Sequence, residues 1–569
     1  MPAMMWILLI GAQVAAVRAW TLPGLRRQVH LHSNNHNNNN VKLFCTHRAR
    51  VPRASVSSSV GAQTATDPAH LYQSFDWAAH WYPVGWYRDF ELDRPTQVTL
   101  FDVEYVVARR PEGVAPIAML DKCPHRLAAL SEGRVTAQGF LQCAYHGWAF
   151  NGSTGACTSI PQAVGQVAPS PRTCAVGVRA EVSQGLLWLH PWDPAARRET
   201  IPTMPEMEEG SGYKYSPAVR DFPIDYTILV ENICDADHGL FAHQQAAFDM
   251  YTASQDDPQR VEVVEDPPNG GSASFAIYGE VSAVKALTAS TAVPPADRDA
   301  AVAAALRATT RFVPPCNIQI CRRNASGHSK FITAFWVVPV GVGRSRFLSV
   351  GVGSVKIPRW LQHIGLNNFL DQDTYLLATQ QPHVLAQEWA AQVEHRERSL
   401  DGNAKITPGI STSSSRGSSA LFRRRSAYCY RSPTEKILIE LGRFLDFAVP
   451  NMPRRYATPA LWGALAGTCP PREFVLDRWR WHTRLCADSQ DVVRRARIAR
   501  MLGLLATAIA LIWRKPCLKA AMLVVMGSGL AFAAHRLERE FSFKYDNKKR
   551  NSDLTRIPKG FADERLRSR

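Results

Sequence analysis

Two cysteines and two histidines stand at spacings that can hold a pair of iron ions. Cys123-Pro124-His125 is followed, after seventeen intervening residues, by Cys143-Ala144-Tyr145-His146. Two thiolates can bind one iron and two imidazoles the other. Zinc takes the same four ligands, but the CxH and CxxH halves differ from the usual zinc-finger spacings. The pattern therefore favours a two-iron cluster over a zinc site.

The residues around these ligands suit a cluster on two loops. Gly133 and Gly139 break the intervening segment, and Gly147-Trp148 provides a turn and an aromatic shield. Replacement of two cysteines by two histidines on one iron defines a Rieske centre and raises its reduction potential. The sequence thus predicts a Rieske [2Fe–2S] cluster bound by Cys123, His125, Cys143 and His146.

A second set of metal-binding side chains follows about ninety residues later. His238 and His243 stand five apart, and Asp235 stands three before His238. If the chain around His238 is helical, Asp235 and His238 share one face of the helix. A loosened turn could then direct the His243 side chain toward the same metal position. Two imidazoles and one carboxylate leave open positions for O₂ and substrate on a non-haem Fe(II). A lone histidine is more often a hydrogen-bonded core or surface residue, so this prediction depends on the combined pattern.

The elements that must position these residues predict an α+β protein. Short apolar stretches such as 98–101 and 104–108, bounded by Pro and Gly, indicate small β-strands, and residues 201–392 mix strand and helix patterns. We predict an N-terminal all-β Rieske domain at 67–200 and a helix-grip-like α+β mononuclear-iron catalytic domain at 201–400. The other predicted segments are a Ser/Arg-rich solvated insert (401–426), a C-terminal region (427–498), a membrane helical hairpin (499–535) and a charged tail (536–569).

The N-terminus has the composition of a targeting sequence. No acid precedes Asp67, and this stretch holds seven Arg or Lys. Residues 1–19 resemble a signal peptide and residues 20–66 a transit peptide, which together indicate a bipartite plastid presequence. A disordered extension behind an ordinary signal or anchor is the alternative. Because much of the net charge of +17 lies here and in the tail, we predict no nucleic-acid binding.

The predicted hairpin consists of two apolar runs, 501–513 and 520–534, separated by Arg514-Lys515-Pro516. Each run would span only about 20 Å, against roughly 30 Å of membrane hydrocarbon. Flanking Arg and Lys would therefore have to snorkel, or the hairpin would enter the bilayer incompletely. Two buried soluble helices are the alternative.

The residues around the cluster ligands resemble one protein family. The runs 123–134, 143–150 and 160–162 are similar to the Rieske domain of the pheophorbide a oxygenase family. That family includes chlorophyllide a oxygenase-like enzymes and the Rieske-type component of the plastid inner-envelope translocon. The resemblance extends from about residue 75 to 534, interrupted by the insert.

The resemblance implies further roles in the iron site. It implies a third iron ligand from a downstream helix, for which Asp373 is the choice and Asp371 the fallback. It also implies that Asp235 links a cluster histidine to an iron histidine of a neighbouring subunit, and hence a homotrimer. The alternative for Asp235 is a helix N-terminal carboxylate. Asn232 is grouped with Asp235 as a candidate catalytic residue.

The function predicted from this resemblance is oxygenation of a chlorophyll-derived tetrapyrrole, pheophorbide a or one like chlorophyllide a, in a thylakoid or inner-envelope membrane. No strand–GxGxxG–helix unit is evident in the sequence, so an external donor, ferredoxin, is expected to supply electrons for O₂ activation. One rival is a non-catalytic Rieske redox component or sensor of the envelope translocon. A pure electron carrier is disfavoured, because it needs no second ligand set.

The chain departs from the family pattern near its C-terminal end. Several family members carry a CxxC pair just after the position of His482, whereas this chain reads Cys486-Ala487-Asp488-Ser489. A dithiol switch cannot form from one cysteine. Cys486 is therefore expected to be a structural or incidental thiol.

Overall fold

The structure is a computed structural model that describes most of the chain between residues 68 and 542. The described residues are 68–164, 170–192, 200–235, 238, 242–243, 259–265, 275–282, 307–323, 329–353, 358–400, 422–432, 434–458, 461–462, 465, 467–512 and 518–542. The predicted signal-like segment 1–19, transit-like segment 20–66 and most of the charged tail lie outside them.

The N-terminal part consists of a short helix and small antiparallel sheets. Within the described residues the sheet orders are β1-β10-β9, β2-β3-β4 and β5-β6-β7-β8. The elements are α1 (Ala69–Gln73), β1 (Tyr82–Trp86), β2 (Pro95–Leu100), β3 (Val103–Ala108), β4 (Ile117–Leu120), β5 (Arg134–Val135), β6 (Leu141–Gln142), β7 (Ala149–Phe150), β8 (Cys157–Ser159), β9 (Arg179–Ser183) and β10 (Leu186–His190).

The second part is a large antiparallel sheet with two helices against it. In the described residues its order is β11-β17-β16-β15-β14-β13-β12. The elements are β11 (Lys214–Phe222), α2 (Tyr226–Cys234), β12 (Arg260–Glu265), β13 (Phe275–Ser282), β14 (Arg307–Val313), β15 (Asn317–Arg323), β16 (Ser329–Gly341), β17 (Arg344–Gly353) and α3 (Arg359–Leu400). The predicted fold class, an all-β domain followed by an α+β domain, is confirmed.

Local chemistry fixes the start of α2, the helix that leads to the second site. Asp225 is its N-cap, and the carboxylate accepts a hydrogen bond from the backbone N–H of Thr227 at 3.1 Å. The same buried carboxylate pairs with Arg455 at 2.9 Å and accepts a bond from the backbone N–H of Gly343. Because Gly343 has a φ of +68° in the β16–β17 turn, the turn brings its N–H to this cap without side-chain strain.

The C-terminal part consists of short helices and a long helix pair. The elements are α4 (Arg424–Ala427), α5 (Lys436–Ala448), α6 (Arg472–Val475), α7 (Arg478–Trp481), α8 (Ala487–Ile512) and α9 (Leu518–Ser542). The last two run antiparallel: Arg500 pairs with Glu538 at 2.7 Å, and further along the pair Gly503 lies against Gly527. A Cβ on Gly503 would come within 2.5 Å of the Gly527 carbonyl oxygen, so small residues permit this close approach.

The helix pair is longer than the apolar runs suggested. α8 and α9 have 26 and 25 residues, or about 38 Å each at 1.5 Å per residue, rather than 20 Å. Among the described helices, α9 has the length and composition needed to cross a membrane. Large apolar side chains on both helices face outward, including Met501, Ile512, Val525 and Phe532.

The end of the predicted insert differs from a solvated loop. Most of residues 401–426 lies outside the described residues. Arg424, however, is buried and pairs with Glu231 of α2 at 3.3 Å. The composition of the insert gave no indication that Arg424 is buried, because its partner Glu231 is far away in the sequence.

Candidate metal centres

The two predicted cluster loops have the same backbone geometry. In the first, the N–H of Cys123 donates to the carbonyl of Ala128 and the N–H of Leu127 to the carbonyl of Cys123; in the second, Cys143 pairs with Trp148 and Gly147 with Cys143 in the same way. The residue four positions after each cysteine has positive φ, +61° at Leu127 and +74° at Gly147. Two equivalent turns thus present one Cys and one His each.

The four side chains form a sulfur pair and an imidazole pair. The thiols of Cys123 and Cys143 are buried neighbours, and burial together with Cys143 raises the pKa of the Cys123 thiol to about 11. The rings of His125 and His146 are 4.5 Å apart. The Nδ1 atom of His125 is buried and has no hydrogen-bond partner among the described residues. Two close, buried thiols and an imidazole nitrogen without a partner among the described residues fit a [2Fe–2S] cluster.

An aromatic residue and a backbone amide support these ligands. Trp148 stacks on His125, with ring centroids 4.8 Å apart and planes 6° apart. The backbone N–H of Tyr145 points at the sulfur of Cys143 at 3.5 Å. Hydrogen bonds to cluster sulfurs tune the reduction potential. These contacts agree with the expected aromatic shield.

His238, His243 and Asp373 come together although 130 residues separate the last two in the sequence. The two Nε2 atoms are 3.2 Å apart, and Asp373 Oδ2 lies 3.7 Å from His238 Nε2 and 3.6 Å from His243 Nε2. Ligands at about 2.1 Å from one metal and at right angles to each other would be about 3.0 Å apart. The three atoms therefore form a triangle that a single metal ion fits.

The surroundings of the two imidazoles fix their orientation. The Nδ1–H of His238 donates to the backbone carbonyl of Asp235 at 2.7 Å, which leaves the Nε2 lone pair facing Asp373. The ring of His243 stacks on Phe369, with centroids 3.5 Å apart. The hydrogen bond determines the tautomer of His238, and the stacked phenyl ring restrains the direction of the His243 imidazole.

The two candidate carboxylates have different partners. Asp373 is buried, and burial raises the pKa of its carboxyl, while His238 and a hydrogen bond from Asn232 lower it. Asp371 is also buried but binds two guanidinium groups, those of Arg220 and Arg478. Its negative charge is therefore neutralised away from the histidines. The geometry favours Asp373 as the carboxylate of the triad.

Asp235 ends α2 and is partly exposed. It is the C-cap residue, with a ψ of 113° that breaks the helix, so it does not share a continuous helix with His238. Its Oδ1 accepts a hydrogen bond from the backbone N–H of His238 at 3.4 Å, the capping contact that the sequence left open as an alternative. The side chain nevertheless remains 27% exposed, and it lines the cavity beside the triad.

A cavity of about 460 Å³ adjoins the triad. Asn232, Asp235, His238 and Asp373 line it, together with apolar, aromatic and polar side chains from α2, α3, residue 242 and residues 427–438. Binding pockets for small organic molecules have volumes of roughly 300–1,000 Å³. Two members of the triad, His238 and Asp373, thus face a space of ligand size.

A buried polar group on the cavity wall was not found by sequence reasoning. Glu231 pairs with Arg424 and accepts a hydrogen bond from the Tyr428 hydroxyl at 3.1 Å, which in turn accepts one from Gln380 at 3.2 Å. Burial raises the pKa of the Glu231 carboxyl against the opposing effect of Arg424. No local signal pointed to this group. Phe369 was also missed, although it stands four residues before Asp373 and so shares its helix face.

Comparisons with known proteins agree with this geometry. Residues 80–171 match the family model of the Rieske [2Fe-2S] domain, and residues 312–389 match that of pheophorbide a oxygenase. A chloroplastic pheophorbide a oxygenase of Arabidopsis thaliana is 26% identical over 509 residues, 83% of each chain. That of Oryza sativa subsp. japonica is 38% identical over 192 residues, 32% of this chain and 36% of the rice protein.

Two further proteins are similar to this chain. Protein TIC 55 of Arabidopsis thaliana, also chloroplastic, is 28% identical over 329 residues, 54% of each chain. Among solved structures, NdmB of Pseudomonas putida CBB5 is 20% identical with a TM-score of 0.46, over 68% of this chain and 96% of that one. The chain thus contains a Rieske [2Fe-2S] domain and a segment that matches pheophorbide a oxygenase, and it is similar to Rieske-type proteins named pheophorbide a oxygenase and TIC 55.

Proposed function

We propose that this chain is a plastid-membrane oxygenase that uses ferredoxin electrons and O₂ to oxygenate a chlorophyll-derived tetrapyrrole, pheophorbide a or one similar to chlorophyllide a. The observation that carries the proposal is the convergence of His238, His243 and Asp373 beside a cavity of about 460 Å³. A protein that only transfers electrons needs no such ligand set. The named tetrapyrrole relatives support the substrate class.

The proposed cluster ligands are Cys123, His125, Cys143 and His146, and the proposed iron ligands are His238, His243 and Asp373. A Rieske cluster delivers one electron at a time, and a mononuclear Fe(II) with three protein ligands has open positions for O₂ and substrate. One O₂, two electrons and two protons would yield one oxygen atom in the product and one water.

We assign Asp235 the task of coupling the two centres. Its carboxylate stays accessible at the edge of the cavity, and the cluster histidines His125 and His146 are also partly exposed. In a homotrimer, a neighbouring subunit's cluster histidine would donate a hydrogen bond to Asp235. An acceptor carboxylate between imidazoles orients both and can move a proton when an electron passes. Asn232 keeps the Asp373 carboxyl in place through its hydrogen bond.

We place the helix pair α8–α9 in a plastid membrane, since the relatives named above are chloroplastic and the outward side chains of both helices are largely apolar. Arg497 and Arg500 pair with Glu538 at the protein end of the pair, where charges would lie at the membrane surface. A membrane position would bring the cavity close to an apolar pigment.

The experiment is turnover by the full-length protein with reduced ferredoxin, O₂ and either pheophorbide a or chlorophyllide a. We expect a product that carries oxygen from ¹⁸O₂. A planar flavonoid is the matched control, because it would also be oxygenated if the cavity accepted any planar aromatic compound. Oxygenation of the flavonoid alone would overturn the tetrapyrrole assignment and retain the oxygenase.

The similarity to TIC 55 favours a second candidate, a redox component of the plastid envelope. This function needs the cluster but makes no use of the second iron. A chain that contains the cluster, lacks the mononuclear iron after anaerobic iron loading and oxygenates none of these compounds would support the second candidate.

A further inference from the structure

A second group of metal-binding side chains lies outside the oxygenase site. His363, His482 and Cys486 have ligand atoms within 4.8 Å of one another, and Ser489 joins them. All four side chains are at most 1% exposed. His363 is on the first turns of α3, His482 follows α7, and the other two stand at the start of α8. The group therefore connects the base of the helix pair to the catalytic domain.

Hydrogen bonds to β11 orient both imidazoles inward. The Nε2–H of His363 donates to the carbonyl of Pro217 at 2.9 Å, and the Nδ1–H of His482 donates to the carbonyl of Val219 at 2.6 Å. β11 is the outer strand of its sheet in the described residues, so these carbonyls are available at its edge. With these tautomers the lone pairs of His363 Nδ1 and His482 Nε2 face Ser489. Metal-binding histidines usually have this kind of support.

The spacing of the inward atoms suits a tetrahedral ion. Cys486 Sγ is 3.5 Å from His363 Nδ1, and Ser489 Oγ is 3.1 Å from His363 Nδ1 and from His482 Nε2. With Zn–N of about 2.0–2.1 Å and Zn–S of about 2.3 Å, the edges of a zinc tetrahedron are about 3.3 Å and 3.6 Å. Burial raises the pKa of the Cys486 thiol, and a hydrogen bond from the backbone N–H of Ser489 to its sulfur opposes that shift.

We propose that His363, His482 and Cys486 bind a structural divalent zinc ion, with the hydroxyl of Ser489 at the fourth position. Two imidazoles and one thiolate are ligands that zinc prefers. Each imidazole uses one nitrogen in its hydrogen bond to β11 and so has one lone pair left for the ion, as a ligand must. The ion would fasten α8 to the edge of β11 and to the helix that carries Asp373.

Without a cation, the same groups can close a hydrogen-bond network. The thiol of Cys486 can donate to His363 and the hydroxyl of Ser489 to His482. Zinc content and the number of sulfur ligands distinguish the two arrangements. The other metal centres cannot imitate the proposed site, because the triad of His238, His243 and Asp373 has no sulfur and the cluster loops supply two.

The test is elemental analysis and zinc X-ray absorption on the cluster-loaded full-length protein expressed with zinc. We expect about one zinc per chain with one sulfur and otherwise nitrogen or oxygen ligands. Cys486→Ser should remove the zinc, whereas the matched control Cys316→Ser, a buried cysteine elsewhere in the core, should retain it. His238→Ala, which disrupts the oxygenase site, should retain the zinc and its sulfur ligand.

A variant that adds a ligand gives a test that does not depend on whether Cys486→Ser folds. Ser489→Cys should retain the zinc and raise the number of sulfur ligands from one to two. Absence of zinc, zinc without sulfur, or an unchanged sulfur number in Ser489→Cys would each overturn the proposal. None of these results depends on which substrate, if any, the oxygenase site accepts.

Discussion

The cluster site and the iron site are assembled in opposite ways. All four proposed cluster ligands lie within residues 123–146, on two turns with the same hydrogen-bond pattern. The proposed iron triad consists of two histidines from the chain after α2 and a carboxylate from α3. The first site is therefore determined by local backbone geometry, whereas the second exists only when α3 packs beside the end of α2. Damage to one site should spare the other.

Loss of one ligand from each site gives the largest expected effects. His238→Ala should remove the mononuclear iron and abolish turnover while the Rieske electron paramagnetic resonance signal remains. Cys143→Ser should remove the cluster signal and leave the mononuclear iron. His383→Ala, at an exposed position of α3, is the matched control and should change neither. Joint loss of both centres in either ligand variant would contradict the independence of the two sites.

Substitution of the two neighbouring aspartates of α3 distinguishes an iron ligand from a residue that only forms ion pairs. Asp373→Asn should reduce iron content with a modest effect on unfolding. Asp371→Asn leaves Arg220 and Arg478 buried without their shared carboxylate, and should reduce the free energy of unfolding by about 3–5 kcal/mol. Iron analysis and thermal unfolding measure the two effects. The reverse result would exchange the roles of the two residues.

Asp235→Asn tests whether the two separately assembled sites communicate. Both metals should remain bound, because neither triad nor cluster ligand is altered. Coupled turnover should fall by about 10–100-fold, the usual effect of removing a group that orients a metal ligand. Steady-state turnover with iron and sulfide analysis checks this expectation. Unchanged turnover would remove the coupling role and leave Asp235 as a capping residue.

The smallest expected effect comes from a substitution in the first cluster loop. Leu127 adopts a φ of +61° where the second loop has Gly147, and its side chain is 64% exposed. Leu127→Gly removes the strain of a left-handed conformation at the cost of a more flexible unfolded chain. We expect a net stabilisation of about 0.5–1 kcal/mol, measured by thermal unfolding of the cluster-loaded protein. A decrease in melting temperature would show that the leucine side chain contributes to packing.

Features whose residues are close together in the sequence were easier to predict than features whose residues are far apart. The proposed cluster ligands could be named from spacing alone because they are close together in the sequence. The choice of Asp373 depended on a family resemblance, because no local pattern indicates which of two aspartates faces His238 and His243. Arg424 was assigned to a solvated insert since its partner Glu231 is 193 residues earlier.

Tertiary contacts also changed the interpretation of the C-terminal residues. Cys486 was expected to be a structural or incidental thiol, because a single cysteine has no local partner. Its neighbour His363 is 123 residues away, and only the packing of α8 beside α3 brings them together. The apolar runs likewise predicted the helix pair, but its length depends on polar residues such as Arg497 and Glu538 that pair across it.

The central claim is that one chain holds both a Rieske cluster and a mononuclear iron that activates O₂. The most direct test is iron and acid-labile sulfide analysis of the anaerobically purified protein with electron paramagnetic resonance, followed by product analysis with reduced ferredoxin, O₂ and pheophorbide a. We predict about three irons per two sulfides, a Rieske signal and an oxygenated product. About two irons per two sulfides in fully loaded protein, with no product from any tetrapyrrole, would contradict the claim.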